Sequence, residues 1–344
     1  MFKMIDLYNR VFDNCDVSKL KNKSVLITGS NGLIGGFITE FLNFLNDKHN
    51  YNIEIILTSL SNNPKRIKHL LNKKYVKYFS QDLSKGFNGN YKVDYCFYCA
   101  GYAQPSKFIR QNISTLFLNT IGLQQTFDNI FKKYNDAKCV FLSSSELYAM
   151  NGDKDFHKES DIINVLVPYK RNFYLVGKLS GEIIVNNFRE MGYDAKSVRV
   201  STTYGPGHGF EDERVLSDLT RKAVDKSEYI DLFDDGLASR KYQHISDCCI
   251  MLFNILLYGN QEVYNVGGKE ETTIYEMAKI IGNKFNKEVV KGKVNNDVAL
   301  SAPKKVSISL DRYNSEFCDF DFIPFKDGIE NYLNWYKEKY ENLC

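Results

Sequence analysis

Short apolar runs rich in β-branched and aromatic residues alternate with amphipathic stretches through the first half of this chain. The runs at 24–28, 54–58, 76–79, 95–100, 138–143 and 195–200 read as strands, several of them apolar at nearly every position, as in a sheet covered on both faces. Between them, residues 33–45, 116–133 and 173–191 place apolar side chains every three or four positions, the period of a helix with one buried side. Strands separated by helices in this order predict an α/β fold, a doubly wound parallel sheet of the Rossmann type.

After Tyr204 the pattern changes. Turn-rich stretches (GPGHGFEDE, LFDDGLASRK, NVGGKEE) separate shorter elements, and DGIENYLNWYKEKY has the spacing of a charged amphipathic helix. The chain therefore divides into a dinucleotide-type domain at 1–203 and a smaller α/β substrate domain at 204–344, with some chain crossing between them. No repeat, low-complexity tract or long linker separates the two, so the smaller part is expected to close over the C-terminal edge of the sheet.

Composition narrows the function by exclusion. The net charge of +3 arises from 45 basic and 42 acidic residues spread along the chain, leaving no basic stripe that could follow a nucleic acid backbone. No apolar run approaches the roughly 20 residues that span a bilayer. The opening MFKMIDLYNRVFDNC carries charge too early and too often for a signal peptide. A cytoplasmic protein with neither nucleic acid nor membrane as a partner is expected. The eight cysteines sit mostly inside apolar segments, as reduced core thiols do. Cys96 and Cys99 form a CxxC within a strand reading, where residues three apart face opposite ways, so no metal site is expected there.

The chemistry begins where the first strand runs into Gly29-Ser30-Asn31-Gly32-Leu33-Ile34-Gly35 and then a helix. Glycines three apart allow a tight turn and bring backbone N–H groups to a pyrophosphate at the positive end of that helix. A second group is Tyr174 and Lys178, four apart on one helix face, with Ser144 at the end of the fifth strand, where ligands of such sheets bind. A nearby ammonium favours the phenolate of a tyrosine whose ordinary pKa is near 10.

The TGxxGxxG spacing, the YxxxK and the Ser143-Ser144-Ser145-Glu146-Leu147-Tyr148 segment together resemble the extended short-chain dehydrogenase/reductases, the NAD-dependent epimerase/dehydratase family of nucleotide-sugar enzymes, over roughly residues 22–336. The resemblance implies catalysis by Ser144, Glu146, Tyr174 and Lys178. It implies a dinucleotide held by Gly29, Asn31, Gly32, Leu33, Ile34, Ser59, Asp82, Leu83, Ala100, Tyr102 and Lys178. It also implies a nucleoside-diphosphate sugar held by Ser145, Thr202, Arg214 and Arg240.

Departures from the family pattern matter as well. No acidic residue ends the second strand, where Ser59, Lys65 and Arg66 stand instead, so NAD is expected with NADP still open. Thr202 replaces the usual asparagine of RxxNxYGP, and Ser145 stands where glucose-type dehydratases carry an aspartic acid. Glu146 accompanies relatives that act at C5, which makes a UDP-glucuronate decarboxylase and a sugar-nucleotide 4,6-dehydratase nearly equal expectations, ahead of a 4-epimerase or 4-dehydrogenase. Arg171 recurs in the decarboxylase and GDP-mannose dehydratase relatives. The apolar helices at 116–133 and 173–191 fit the homodimer contact of that family, and equally the covering of the sheet. A non-catalytic dinucleotide-binding regulator is the remaining reading, set against the presence of both Tyr174 and Lys178.

Overall fold

A computed structural model describes residues 3–152, 154–165, 171–209, 211–225, 227–292 and 305–340. The strands β1 (Ser24–Thr28), β2 (Glu54–Ser59), β3 (Val76–Ser80), β4 (Tyr95–Tyr98), β5 (Lys138–Ser144) and β6 (Asp194–Val200) match the apolar runs closely. Beyond them lie short strands: β7 (Thr203–Tyr204), β8 (Tyr229–Asp231), β9 (Ser239–Lys241), β10 (Gln243–His244) and β11 (Val263–Val266). The main sheet has seven parallel strands in the order β11-β6-β5-β4-β1-β2-β3. From β1 the chain winds outward through β2 and β3, then returns to β4 and winds the other way, so the order reverses between β1 and β4. A crevice opens at such a switch point, outside the carboxyl ends of the strands.

The helices follow from the periodicity, with two corrections. The stretch at 116–133 is not one helix: α4 (Asn112–Asn119) and α5 (Ile121–Lys133) meet at Thr120, whose ψ of −84° breaks the run. The bend lets Gly122 press on the turn after β3, where a Cβ would lie 2.2 Å from the Leu83 carbonyl oxygen. The run at 95–100 also ends early, at Tyr98, because Cys99 turns back to donate to the Phe97 carbonyl at 3.1 Å. Among the elements that escaped the sequence reading are the helix α1 (Met4–Asp13) and the strand β11. Because β11 joins the main sheet beside β6, the chain after residue 203 does not stay in the smaller part.

Two hydrophobic cores flank the sheet. One holds Val25, Ile27, Phe37, Phe41 and the helix α8 (Ile245–Tyr258), and the other Leu26, Cys96, Tyr98, Phe127 and Phe141. Cys96 belongs to the second and Cys99 packs on the first, as strand alternation requires. A third core, around Leu216, Leu219, Ile281, Ile329 and Tyr332, supports the smaller part. No described helix is long and apolar enough to cross a membrane.

Candidate active site

A cleft of about 2430 Å³ lies along the C-terminal ends of β1, β4, β5 and β6 and continues into the smaller part. Its floor at β1 is the glycine turn. Gly29 has φ +64°, and a Cβ there would lie 2.8 Å from the Cys99 carbonyl oxygen, so only glycine fits where the ends of β1 and β4 abut. A Cβ on Gly35 would come within 2.6 Å of the Gly29 oxygen. The helix α2 (Leu33–His49) starts from Gly32 with no side chain capping it. The result is a concave seat at a helix N-terminus with room for backbone to approach a ligand, which fits the pyrophosphate of a dinucleotide.

Ser144 ends β5, and its Oγ accepts from the Glu146 N–H at 3.2 Å, which fixes the turn that follows. Tyr174 and Lys178 lie on α6 (Asn172–Glu190). Gly181 brings α6 onto the sheet: a Cβ there would meet the Phe141 ring at 2.6 Å and the Asn119 oxygen at 2.8 Å. That close approach carries Lys178 Nζ to the Leu142 carbonyl at 2.5 Å, two residues before Ser144. The Tyr174 ring stacks on Phe108 from α3 (Pro105–Arg110), with centroids 4.7 Å apart and planes at 16°.

The electrostatics correct one expectation. Burial pushes Tyr174 up to about 12, helped by the Glu146 charge, while a Ser144 hydrogen bond and the charges of Arg171 and Arg214 pull the other way. Lys178 is not among the main influences, because burial drives its own ammonium down to about 7. In these surroundings Tyr174 is held as the phenol at neutral pH rather than as a phenolate.

The depressed lysine has a stability consequence. An unfolded lysine holds its proton up to about 10.5, whereas folded Lys178 releases it above about 7. Between those values the unfolded state binds more protons, so this group makes stability rise with pH there. Melting temperatures across that window should climb less steeply for Lys178→Met than for the wild type; parallel curves would contradict the assignment.

Glu146 sits beside Tyr174 and is gripped by Arg171, whose Nη2 is 2.7 Å and Nε 3.3 Å from one carboxylate oxygen. Burial alone would raise this carboxyl, but the charges of Arg171 and Arg240 and the Arg171 hydrogen bond outweigh it and hold Glu146 ionised. Arg171 also lies over the Phe108 ring at 5.4 Å, so guanidinium, Phe108 and Tyr174 form one stack. On the substrate side, Arg214 clasps Asp212 at 2.7 and 3.0 Å. Burial works against that carboxylate, yet the arginine holds it down at about 2. Arg240 projects from β9 and donates to the Ser239 carbonyl at 2.6 Å.

Of the residues expected from sequence, Gly29, Asn31, Gly32, Leu33, Ile34, Tyr102, Ser144, Ser145, Glu146, Tyr174, Lys178, Thr202, Arg214 and Arg240 all line this cleft. Ser59, Asp82, Leu83 and Ala100 are not among its walls. The Ser59 hydroxyl is joined to the Tyr78 hydroxyl at 2.8 Å. Asp82 caps the turn Leu83–Lys85 through Ser84, and Leu83 is buried beneath it. The Ala100 N–H is donated to Thr28 Oγ1 at 3.0 Å.

Arg66 is tied to the glycine turn and to the loop after β7. It donates to the carbonyls of Gly32, Leu33 and Gly207 at 3.1, 2.9 and 3.0 Å and pairs with Glu40 at 2.9 Å. Sequence reasoning missed this role, and missed Phe108, Asp212 and His208 in the cleft wall. Only Arg171 left a trace, by standing one helical turn before Tyr174.

A family model for the NAD dependent epimerase/dehydratase family matches residues 25–267, well over half the chain. The chain belongs to that family. Among relatives of this chain, a Streptomyces sp. dTDP-4-dehydro-6-deoxy-D-allose reductase is 26% identical over 92% of this chain and 96% of its own length. UDP-glucuronic acid decarboxylase 1 of Danio rerio is 25% identical over 77% of this chain and 61% of the relative. Among solved structures, the Bacillus anthracis dTDP-glucose 4,6-dehydratase in complex with NAD is similar in fold, with a TM-score of 0.75 at 22% identity, covering 93% of this chain and 98% of that one. The fold is also that of the Bacillus cereus UDP-glucuronic acid 4-epimerase, with a TM-score of 0.75 at 18% identity over 92% and 100% of the two chains.

Proposed function

We propose that this epimerase/dehydratase family member decarboxylates a nucleoside-diphosphate uronic acid, by oxidation at C4, loss of the C5 carboxylate and reduction at C4. The observation that carries the reading is Glu146, held ionised by Arg171 and Arg240 beside Tyr174. Arg171 spends Nε and Nη2 on one Glu146 oxygen and lines the cleft, where its guanidinium can also meet a sugar acid group, which a neutral hydroxymethyl substrate does not require. Ser145, in place of an aspartic acid, supports decarboxylation over 4,6-dehydration, which needs a donor to the departing hydroxyl.

Bound in the glycine seat, NAD supplies the hydride acceptor at C4. Once its own proton has passed to solvent, Tyr174 takes the proton of the C4 hydroxyl and later returns it, and its raised pKa suits the returning direction. Ser144 orients that hydroxyl, and Lys178 holds the dinucleotide ribose. Once C4 is a ketone, the C5 carboxylate leaves as carbon dioxide and its bonding pair enters the C4 enolate, to which Glu146 relays a solvent proton at C5 before C4 is reduced, and Arg240, with Arg214, takes the diphosphate. NAD rather than NADP is supported by the pairing of Arg66 with Glu40 and of Ser59 with Tyr78, which leaves neither for a 2′-phosphate.

A second reading, reduction of a 4-keto sugar, is favoured by the similarity to a dTDP-sugar reductase along nearly the full length of both chains. Incubation with a panel of UDP, dTDP, GDP and CDP sugars, read by mass spectrometry, separates these. Loss of carbon dioxide from a uronate without added reductant supports the proposal. Loss of water, or gain of two hydrogens at the expense of added NADH or NADPH, refutes it.

Arg240→Ala should weaken free nucleoside diphosphate by at least tenfold, since a charge-assisted hydrogen bond contributes about 1.5–3 kcal/mol. Titration calorimetry checks this without knowledge of the sugar, and equal affinities refute it. We also propose a homodimer through α4, α5 and α6, where Ile113, Phe117, Ile121, Val176 and Ile183 are exposed. Ile183→Asp should halve the mass seen by sedimentation; an unchanged mass places the contact elsewhere.

A further inference from the structure

His208 stands in the loop after β7 and belongs to the cleft wall, yet it is only 3% exposed and neither ring nitrogen has a partner among the described residues. Its backbone is fixed on both sides. Arg66 holds the Gly207 carbonyl at 3.0 Å, the Tyr340 hydroxyl donates to the His208 carbonyl at 3.2 Å, and the Asp212 N–H closes on the Gly209 carbonyl at 3.0 Å. The ring packs edge-on to Tyr332, with centroids 5.8 Å apart. A buried imidazole that is so firmly placed and left with both nitrogens unmet is a contact waiting for a ligand group.

Burial and the charges of Arg214 and Arg66, with Asp212 opposing, keep this ring neutral, at about 3. A neutral ring offers one N–H donor and one acceptor. Its cationic neighbours define the ligand. Arg66 touches the carbonyls of Gly32 and Leu33 in the dinucleotide seat, and Arg214 opens the helix α7 (Val215–Val224) on the substrate side. His208 is close enough to feel both charges.

We propose that His208 donates a hydrogen bond to a phosphate oxygen of a bound nucleotide, either the pyrophosphate of the dinucleotide or the diphosphate of the sugar nucleotide. The inference rests on the reading of the cleft given above. It adds a phosphate contact from a residue that carries no formal charge and lies outside every motif of the sequence.

The near-isosteric variants His208→Gln and His208→Met test it, because they differ in polar atoms and hardly in shape. Calorimetry with NAD alone, and with UDP or dTDP alone, distinguishes the two phosphate sources. For one of the two classes, His208→Met should bind at least about tenfold more weakly than wild type while His208→Gln stays within about twofold, the effect of one hydrogen bond to a charged oxygen.

Equal binding by His208→Met and wild type for both classes overturns the proposal, and so does an equal loss in the two variants. If either variant fails to fold, His208→Phe, which keeps the packing on Tyr332, takes its place, and wild-type affinity in it overturns the proposal just as well. A wild-type chain that binds neither NAD nor any nucleoside diphosphate would instead contradict the reading of the cleft itself.

Discussion

Tyr174→Phe should lower turnover by about a hundredfold or more while dinucleotide and substrate bind almost as before. The substitution removes one hydroxyl and keeps the ring. That ring is stacked on Phe108 and almost fully buried, so the wall of the cleft should hold its shape. What is lost is the group that accepts the C4 hydroxyl proton and returns it. Because the change acts on the reacting atoms, kcat should fall and the dissociation constants should not. Steady-state kinetics with calorimetry of both ligands checks this, and a variant with near-normal turnover removes Tyr174 from the mechanism.

Glu146→Gln should separate the two halves of the reaction. The amide oxygen can still accept from Arg171, so the local geometry should survive, but the charge that Arg171 and Arg240 hold in place is gone. Oxidation at C4 depends on Ser144, Tyr174 and Lys178 and should proceed. Chemistry at C5 depends on the carboxylate and should slow by about a hundredfold or more. Reduced-nicotinamide absorbance should therefore appear on adding substrate and persist, with the ketone accumulating. Product at the wild-type rate would show that Glu146 has no part, and the epimerase and dehydrogenase readings would move ahead.

Much of this site was legible because it rests on local rules. The strand of continuous apolar residues before Gly29, the glycine spacing and the helix after it specify the dinucleotide seat within a dozen or so neighbouring residues. Ser144 and the Tyr174–Lys178 pair were equally readable, one from a strand end and the other from helical spacing. What stayed hidden depends on contacts between distant segments. Nothing near Arg66 announces Glu40 or Gly207 as its partners.

The same holds for Glu146 and Arg171, which folding alone brings together, and for His208, whose loop reads simply as a turn. Strand β11 is four residues, Val-Tyr-Asn-Val, inside a turn-rich stretch, too short for its period to stand out. Helix α1 did leave a signal, Leu7 and Val11 at a spacing of four, both buried. The expected phenolate failed for a different reason. Spacing shows that Lys178 lies near Tyr174, but burial, which spacing does not reveal, raises the tyrosine and lowers the lysine to about 7, so its ammonium is only partly held at neutral pH.

The central claim is that C4 is oxidised so that the bond at C5 can break, and then reduced again within one active site. UDP-glucuronate carrying deuterium at C4 tests it most directly. Incubated with the protein and read by mass spectrometry, it should yield a product that has lost carbon dioxide and kept its deuterium, formed more slowly than from unlabelled substrate. A substrate recovered intact, or a decarboxylated product formed at the same rate with and without the label and stripped of its deuterium, would contradict the account.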